Sequence, residues 1–307
     1  MQILLQPPCD EGDAWRAALA RALPEAAIAM WPDAPSKTDY ALVWKPPAEL
    51  FARVRPAKAI FNLGAGVEVL LAMPALPAGV PVVRLEDAGM ATQMGEYVTL
   101  AVLRAYRELD AYAAQQREGL WQPRSRIAKS AFGVGILGFG VLGRAVAGAV
   151  APFGFPLRSW SRTRKRSPGV ESFAGPAELR PFLAGSRVLV CLLPSTPQTR
   201  ALLDRTALDA LPRGAHVVNV ARGDIVVDED LLAALDRSHL AGATLDVFRA
   251  EPLPSGHPFW HHPRITLTPH VSAMTLVEDA ALQVAGKIRR LERGEPVTGI
   301  VDRARGY

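Results

Sequence analysis

The sequence predicts an α/β protein of two parallel-sheet domains, Rossmann-like and flavodoxin-like, with a ligand cleft between the domains. Three observations predict this fold class. The chain has 307 residues, which is long enough for about two domains with their own cores. Short apolar strands alternate with helical segments along most of the chain. A glycine motif at 138–143 stands where an apolar strand turns into a helix.

The first domain is predicted to contain a small parallel sheet and an alanine-rich helix over Trp15–Leu23 that ends at Pro24. Its strands are predicted at Ile3–Leu5, Ala41–Trp44, Lys58–Leu63 and Val80–Leu85. Ligands of open α/β sheets bind beyond the carboxyl ends of the strands. The candidate substrate-binding residues in this domain are therefore Trp44, Gly64, Ala65, Gly66 and Val67. The same glycines would also suit a plain turn, and the sequence alone leaves both interpretations open.

A long helix and a linker are predicted between the domains. Apolar residues at Val98, Val102, Leu109 and Tyr112 are spaced for one buried face of a single helix over Met94–Arg117. A basic linker over Trp121–Ser130 follows it.

The chain ends with a predicted helix over Leu276–Arg293 and a short tail. If that helix packs on the first domain, the first domain is discontinuous. We therefore expect a substrate-binding domain of residues 1–98 and 275–307, and a dinucleotide-binding Rossmann domain of residues 99–274.

The glycine motif predicts where a dinucleotide binds. The first glycine of such a motif permits the tight turn, the second lets the backbone approach a pyrophosphate, and the third lets helix and strand pack closely. The first turn of the following helix offers free N–H groups to the phosphates. The candidate cofactor-binding residues here are Gly138, Gly140, Val141, Leu142 and Gly143.

The residues after the second Rossmann strand indicate which nicotinamide cofactor is used. An acidic residue about 20 positions beyond the glycines would bind the ribose 2′-OH of NAD. This chain has Ser161, Arg162 and Arg164 there and no carboxylate. Because Arg binds phosphate bidentately, these residues predict a 2′-phosphate site and hence NADP(H). The alternative is a solvated basic loop without a ligand.

Three later strands are each followed by a polar residue that core packing does not require. Strands are predicted at Leu157–Trp160, Arg187–Leu193, His216–Val220, Ala243–Val247 and Ile265–Leu267. Arg222, Glu251 and His270 follow the last three of them, so we expect all three side chains at one sheet edge.

These residue types suit the reduction of a 2-oxo acid. His270 would donate the proton, Glu251 would favour the protonated imidazole, and Arg222 would bind the substrate carboxylate and polarise the carbonyl group. Taken singly, each residue has an ordinary alternative: a surface arginine, a solvated loop acid or a structural histidine.

Composition limits the other functional classes. The net charge is +5, but the basic residues cluster only at 158–166, which is too local for a nucleic-acid interface. No apolar run is long enough for a membrane span, and residues 1–13 lack the basic region and apolar core of an export signal. Cys9 and Cys191 have no partner at metal-ligand spacing, and His261 and His262 lack further ligands, so we expect no metal and a cytoplasmic protein.

Several motifs together resemble the D-isomer-specific 2-hydroxyacid dehydrogenases across essentially the whole chain. The motifs are the glycine motif, Val220-Ala221-Arg222-Gly223, Leu245-Asp246-Val247-Phe248 leading to Glu251-Pro252, and Thr268-Pro269-His270. The resemblance implies that Arg222 and His270 are catalytic, that Glu251 assists them, and that Asp246 belongs to the cofactor site. It also implies that the N–H groups of the Gly64 loop lie near the substrate carboxylate.

Further segments resemble the glyoxylate- and hydroxypyruvate-reducing members of that family. These segments are Leu42–Pro47, Gly64–Val67, Trp160–Lys165 and Val301–Tyr307. The similarity implies NADPH-dependent reduction of glyoxylate to glycolate and of hydroxypyruvate to D-glycerate by a cytoplasmic homodimer. The competing hypothesis is a dinucleotide-sensing regulatory protein, which would not need the Arg, Glu and His set. A phosphoglycerate-type dehydrogenase is disfavoured because the chain stops at Tyr307.

Overall fold

The computed structural model describes all 307 residues and divides into two compact units. The first unit consists of residues 1–90 and 274–307, and the second of residues 91–273. The strands are β1 (Gln2–Gln6), β2 (Ala27–Met30), β3 (Lys37–Val43), β4 (Arg55–Asn62), β5 (Val82–Arg84), β6 (Val134–Leu137), β7 (Leu157–Ser161), β8 (Val170–Ala174), β9 (Val188–Cys191), β10 (Ala215–Asn219), β11 (Leu240–Leu245) and β12 (Ile265–Leu267).

The helices are α1 (Gly12–Ala22), α2 (Leu50–Arg53), α3 (Glu68–Leu71), α4 (Met90–Tyr106), α5 (Leu109–Arg117), α6 (Val141–Val150), α7 (Leu179–Ala184), α8 (Arg205–Asp209), α9 (Asp228–Asp236) and α10 (Val277–Glu292). None of them is both long and apolar enough to cross a membrane.

The first unit is built on a five-stranded parallel sheet in the order β2-β1-β3-β4-β5. This is the flavodoxin-like strand order. The central strands are apolar on both faces because helices cover both sides, as a parallel sheet requires. Leu4, Ala41 and Ile60 are completely buried there. Strand β2 was not predicted, since Ala27–Met30 is a short edge strand with no buried residue.

The last helix and the tail belong to the first unit. Helix α10 packs against α1, and Arg289 Nη2 donates to the Ala22 carbonyl oxygen at 2.6 Å. Lys287 is buried, and its Nζ donates to the Arg84 carbonyl oxygen and to Glu86 Oε2, both at 3.2 Å. Burial lowers the pKa of Lys287, although the Glu86 carboxylate opposes this effect. These contacts anchor α10 to the end of β5, so this unit is discontinuous in sequence.

The second unit is built on a seven-stranded parallel sheet in the order β8-β7-β6-β9-β10-β11-β12. Counted from β6, the first six strands have the doubly wound order 3-2-1-4-5-6 of dinucleotide-binding domains. The order reverses between β6 and β9, and this reversal marks where ligands bind in such sheets. Two parallel-sheet α/β domains are present, so the predicted fold class is confirmed.

Two local predictions for the second unit were wrong. Strand β8 was missed because its sequence, VESFA, is polar and has no buried residue, so it lacks an apolar pattern. The single helix predicted over 94–117 is two helices. Glu108 has a left-handed backbone (φ 53°) and ends the continuous helical path, and Arg104 Nε reaches across the break to Asp110 Oδ1 at 2.7 Å.

A buried histidine makes the stability of the protein depend on pH. His216 is 6% exposed at the start of β10, and its Nε2 lies 2.9 Å from Thr244 Oγ1. Burial lowers the pKa of His216 to about 4 from 6.5. The unfolded chain therefore binds the proton first as the pH falls, and stability is lost through the window from about 6.5 to about 4.

We expect urea unfolding of the wild-type protein to lose roughly 2 kcal/mol from this residue between pH 8 and pH 5. His216→Gln should remove that part of the pH dependence. The exposed His261→Gln should keep the wild-type dependence and serves as the control. Equal slopes in wild-type and His216→Gln proteins would contradict the assignment.

Candidate active site

The turn from β6 into α6 forms a cradle suited to a dinucleotide. Gly138 has φ +104°, and a Cβ on it would lie 2.7 Å from the Leu192 carbonyl oxygen. A Cβ on Gly143 would lie 2.2 Å from the Gly138 oxygen. Packing within the protein therefore requires both of these glycines. A Cβ on Gly140 would meet no protein atom within 4 Å, so the protein's own packing does not require a glycine there.

Gly140 is explained if a ligand approaches the backbone at this point. The pyrophosphate of a dinucleotide fits that position, because the first turn of α6 at Val141 and Leu142 presents its N–H groups there. The cradle lies at the carboxyl end of β6, beside the point where the strand order reverses.

The basic segment after β7 lies on the neighbouring strand of the sheet. Ser161 is buried at the end of β7, whereas Arg162 and Arg164 are exposed. The Arg164 guanidinium is not isolated, because it donates to the Ser172 carbonyl oxygen and forms an ion pair with Glu178. A hydrogen bond from the Ala174 N–H, together with Arg164, lowers the pKa of the Glu178 carboxyl. Sequence reasoning missed Glu178, which orients Arg164 from a distant position in the chain.

Strands β10, β11 and β12 are neighbours in the sheet, so the chain segments that follow them lie side by side. Arg222 is half-buried in the turn after β10. That turn is shaped by Asn219, whose Nδ2 donates to the Arg222 carbonyl oxygen at 3.0 Å and whose Oδ1 accepts from Ala221 N at 3.2 Å. A Cβ on Gly223 would lie 2.0 Å from the backbone carbon of Phe248. Glycine is therefore needed for the turn to press against the segment that leads to Glu251.

Glu251 and His270 form a hydrogen-bonded pair, as the sequence predicted from their positions. His270 Nδ1 lies 2.8 Å from Glu251 Oε2, and the other carboxylate oxygen accepts from Phe248 N at 3.0 Å. Because a carboxylate only accepts hydrogen bonds, Nδ1 carries a proton. The remaining nitrogen, Nε2, is then the one that can exchange a proton with a ligand. The His270 side chain is 46% exposed, so it is accessible.

Asp246 was predicted to bind the cofactor. In the structure, its carboxylate accepts hydrogen bonds from three donors of the protein itself. The residue is completely buried at the end of β11. Its oxygens accept hydrogen bonds from Thr268 Oγ1 at 2.6 Å, and from Val271 N and Ser272 N at 2.8 Å each. These donors flank His270, so Asp246 supports the segment that carries this residue.

In the first unit, the Gly64 loop is held rigidly at the end of β4. Asn62 is 3% exposed, and its Nδ2 donates to the carbonyl oxygens of Gly64 at 2.9 Å and Gly66 at 2.8 Å. A Cβ on Gly64 would lie 2.1 Å from the Trp44 ring, so this glycine allows the close contact. Sequence reasoning missed Asn62. The sequence feature that indicates a role for Asn62 is a single amide side chain at the end of an otherwise apolar strand.

The remaining titratable residues form no metal centre: no group of three or more His, Cys, Asp or Glu side chains is placed to hold a metal ion. His262 Nε2 lies 3.4 Å from Asp236 Oδ1. Both cysteines are free thiols, and burial raises the pKa of Cys191 to about 12.

Comparison with known proteins finds relatives that match this chain over its full length. Residues 99–272 match the family model described as the D-isomer specific 2-hydroxyacid dehydrogenase NAD binding domain. The chain is 47% identical to a Yersinia enterocolitica protein and 48% identical to a Salmonella heidelberg protein, both named glyoxylate/hydroxypyruvate reductase A. Each alignment covers all of this chain and all of its relative.

Solved structures agree with the sequence relatives. A D-isomer specific 2-hydroxyacid dehydrogenase from Xanthobacter autotrophicus, in complex with NADPH and MES, superposes with a TM-score of 0.95 at 43% identity. An NADPH-dependent glyoxylate/hydroxypyruvate reductase from Sinorhizobium meliloti, in complex with NADP and sulfate, superposes with a TM-score of 0.93 at 35% identity. Both comparisons cover 100% of this chain and 99% of the other. The predicted resemblance is thus confirmed, and the chain belongs to the D-isomer-specific 2-hydroxyacid dehydrogenase family.

Proposed function

We propose that the protein reduces small 2-oxo acids with NADPH, taking glyoxylate to glycolate and hydroxypyruvate to D-glycerate. The observation that carries the proposal is the His270–Glu251 pair, with its 2.8 Å hydrogen bond, on the chain segments next to the Arg222 turn. A histidine oriented by a carboxylate is a common general acid. The names of the full-length relatives support the choice of substrates.

The proposed site residues have distinct chemical roles in this reaction. Bound NADPH would supply a hydride to the carbonyl carbon of the 2-oxo acid. His270 gives a proton from Nε2 to the carbonyl oxygen as negative charge develops there, so the product is a neutral hydroxyl group. Glu251 keeps Nδ1 protonated and the ring oriented. Arg222 binds the substrate carboxylate and polarises the carbonyl group.

We assign substrate binding to the first unit and cofactor binding to the second. In this proposal the N–H groups of the Gly64–Val67 loop receive the substrate carboxylate, because Asn62 already holds the carbonyl oxygens of Gly64 and Gly66. Trp44 packs against Gly64 and limits the size of the substrate. Because Asn62 preorganises this loop, little ordering entropy is lost when a substrate binds.

We infer a preference for NADPH from the residues after β7. No acidic side chain occurs at positions 161–166, whereas Arg162 and Arg164 are exposed there. Structural relatives in complex with NADPH or NADP support this preference. Glu178 and the Ser172 carbonyl oxygen hold the Arg164 guanidinium through its two terminal nitrogens, and in this proposal its remaining N–H donors bind the 2′-phosphate.

We also propose that the protein is a cytoplasmic homodimer that associates through its second unit. Leu100 on α4 is 66% exposed beside a groove lined by Gly95, Ala149 and Phe153. Trp121, in the extended segment after α5, is 97% exposed. An apolar groove bordered by an exposed leucine is a candidate protein interface, because contiguous apolar patches mark such surfaces. A second copy would cover this face through a two-fold contact in which each chain presents the same surface.

The catalytic assignment predicts the effects of three substitutions. His270→Ala should lower kcat for glyoxylate reduction by roughly two to four orders of magnitude with the fold intact, because the proton donor is lost. Glu251→Gln should lower kcat less, and Arg222→Ala should raise KM and lower kcat together. Loss of NADPH absorbance measures each rate.

The exposed His261→Ala is the matched control and should leave both constants unchanged. Near-normal turnover by His270→Ala would refute its role. A wild-type protein that binds NADPH but oxidises it with none of glyoxylate, hydroxypyruvate or pyruvate would instead favour the regulatory alternative.

The cofactor assignment predicts a shift in preference. Arg162→Gln combined with Arg164→Gln should raise KM for NADPH about 10- to 100-fold, since one or two charge-assisted hydrogen bonds to the 2′-phosphate are lost. KM for NADH should change little. Steady-state rates with each cofactor measure the ratio, and Arg213→Gln, at an exposed arginine elsewhere in this unit, is the control. A wild-type preference for NADH would contradict the assignment of NADPH as the cofactor.

The dimer proposal predicts a mass change. Leu100→Asp should convert the protein to a species near the chain mass of 33.0 kDa in sedimentation equilibrium, because a charge then lies in the apolar interface. Leu282→Asp is the control, since Leu282 is 64% exposed but lies on α10 of the first unit. A wild-type protein that sediments as a monomer at micromolar concentration would rule the dimer out.

A further inference from the structure

We infer that Tyr97 is a positioning residue for His270, acting through Thr268 and Asp246. The inference rests on the proposed function, because it concerns the histidine to which we assign proton transfer. Tyr97 lies on α4, and its hydroxyl oxygen is 2.6 Å from Thr268 Oγ1, a residue 171 positions away in the sequence. All of these residues lie within the second unit.

The hydrogen bonds have a defined direction. Thr268 Oγ1 has one proton, and it donates that proton to Asp246 Oδ1 at 2.6 Å. The hydroxyl of Tyr97 must therefore donate to Thr268 rather than accept from it. Burial raises the pKa of Tyr97, which keeps the phenol protonated and able to donate. The result is a one-way chain from Tyr97 through Thr268 to the buried carboxylate.

The end of this chain holds the backbone on both sides of His270. Thr268 precedes His270 by two positions, while the Val271 and Ser272 N–H groups that follow it donate to the Asp246 carboxylate at 2.8 Å each. The His270 N–H itself donates to the Asp246 carbonyl oxygen at 2.8 Å and lies 3.1 Å from that of Thr268. Asp246 therefore contacts this segment through both its side chain and its main chain.

His270 needs this support because of its backbone conformation. Its φ is +58°, in the left-handed region that residues other than glycine rarely adopt. Such conformations persist at functional sites only where the surroundings overdetermine them. Without the Asp246 contacts, the backbone would relax and the imidazole would move relative to Glu251. A displacement of about 1 Å can cost roughly 100-fold in rate.

The hydroxyl of Tyr97 is the remote end of the chain and can be removed without removing the aromatic ring. Tyr97→Phe keeps the aromatic ring packed against the core of the second unit but deletes the donor to Thr268. Thr268→Val deletes the donor to Asp246, whereas Thr268→Ser keeps both hydrogen bonds. Tyr106→Phe is the matched control on the same helix, since Tyr106 packs its ring against Phe132 and Phe155.

Steady-state kinetics of the full-length protein form the first arm of the test. Tyr97→Phe should lower kcat about 3- to 10-fold and Thr268→Val about 10- to 100-fold, with KM for NADPH within two-fold of wild type. The solvent deuterium isotope effect on kcat should rise in both, since proton transfer from a misplaced imidazole becomes slower. Thr268→Ser should recover most of the rate lost in Thr268→Val, and Tyr106→Phe should match wild type.

The second arm does not need activity. In protein labelled with ¹³Cε1-histidine, the His270 resonance is identified by its disappearance in His270→Gln. It should move in Tyr97→Phe and in Thr268→Val and stay in place in Tyr106→Phe. If the wild-type protein reduced no 2-oxo acid, the proposed function would fail, and this resonance would still decide the positioning role.

Three results would overturn the inference. The first is an unmoved His270 resonance in Tyr97→Phe or in Thr268→Val. The second, in an active protein, is unchanged kcat in either variant. The third is a raised KM for NADPH in Thr268→Val with kcat retained, which would assign Asp246 and Thr268 to cofactor binding instead.

Discussion

The parallel hydrogen bonding of β10, β11 and β12 is the constraint on which the candidate active site depends. Parallel strands all end at the same edge of a sheet, and adjacent strands lie about 4.8 Å apart. The segments carrying Arg222, Glu251 and His270 therefore leave the sheet side by side, although they are far apart in sequence. The strands themselves are mostly apolar because helices cover both faces. The polar side chains of the candidate site therefore lie where the strands end.

A buried charge then fixes the geometry at this edge. Moving a carboxylate out of water costs several kcal/mol unless hydrogen bonds replace the lost hydration. Asp246 receives three donors, and hydrogen bonds to charged groups contribute about 1.5–3 kcal/mol each. The donors lie on the segment around His270. If this segment relaxed, the buried Asp246 carboxylate would lose its hydrogen-bond donors. The hydrogen bonds that offset the burial of the Asp246 carboxylate therefore also hold His270 in its left-handed conformation.

Much of this organisation could be predicted from sequence because it follows from local patterns. Apolar runs locate β6, β9 and β10, and the residue types after the strands indicate the chemistry. Predictions failed where the decisive contact is distant in sequence. Segment 170–174 (VESFA) becomes a strand only because β7 pairs with it. The hydrogen bond from Thr268 Oγ1 to Asp246 was not predicted, since no local pattern reveals it. The helix break at Glu108 depends on one backbone angle and likewise has no periodic signal.

The three glycines of the cradle separate the requirements of folding from those of binding. Gly138 and Gly143 each have a protein atom less than 3 Å from the position of an added Cβ, so the fold alone explains them. Gly140 has none within 4 Å and a φ of −84°, which any residue can adopt. Steric contact within the protein therefore does not require glycine at position 140, where it costs backbone entropy. A group that approaches the main chain from outside does give a reason, and Gly140 is thus the residue in the cradle whose identity points to the cofactor.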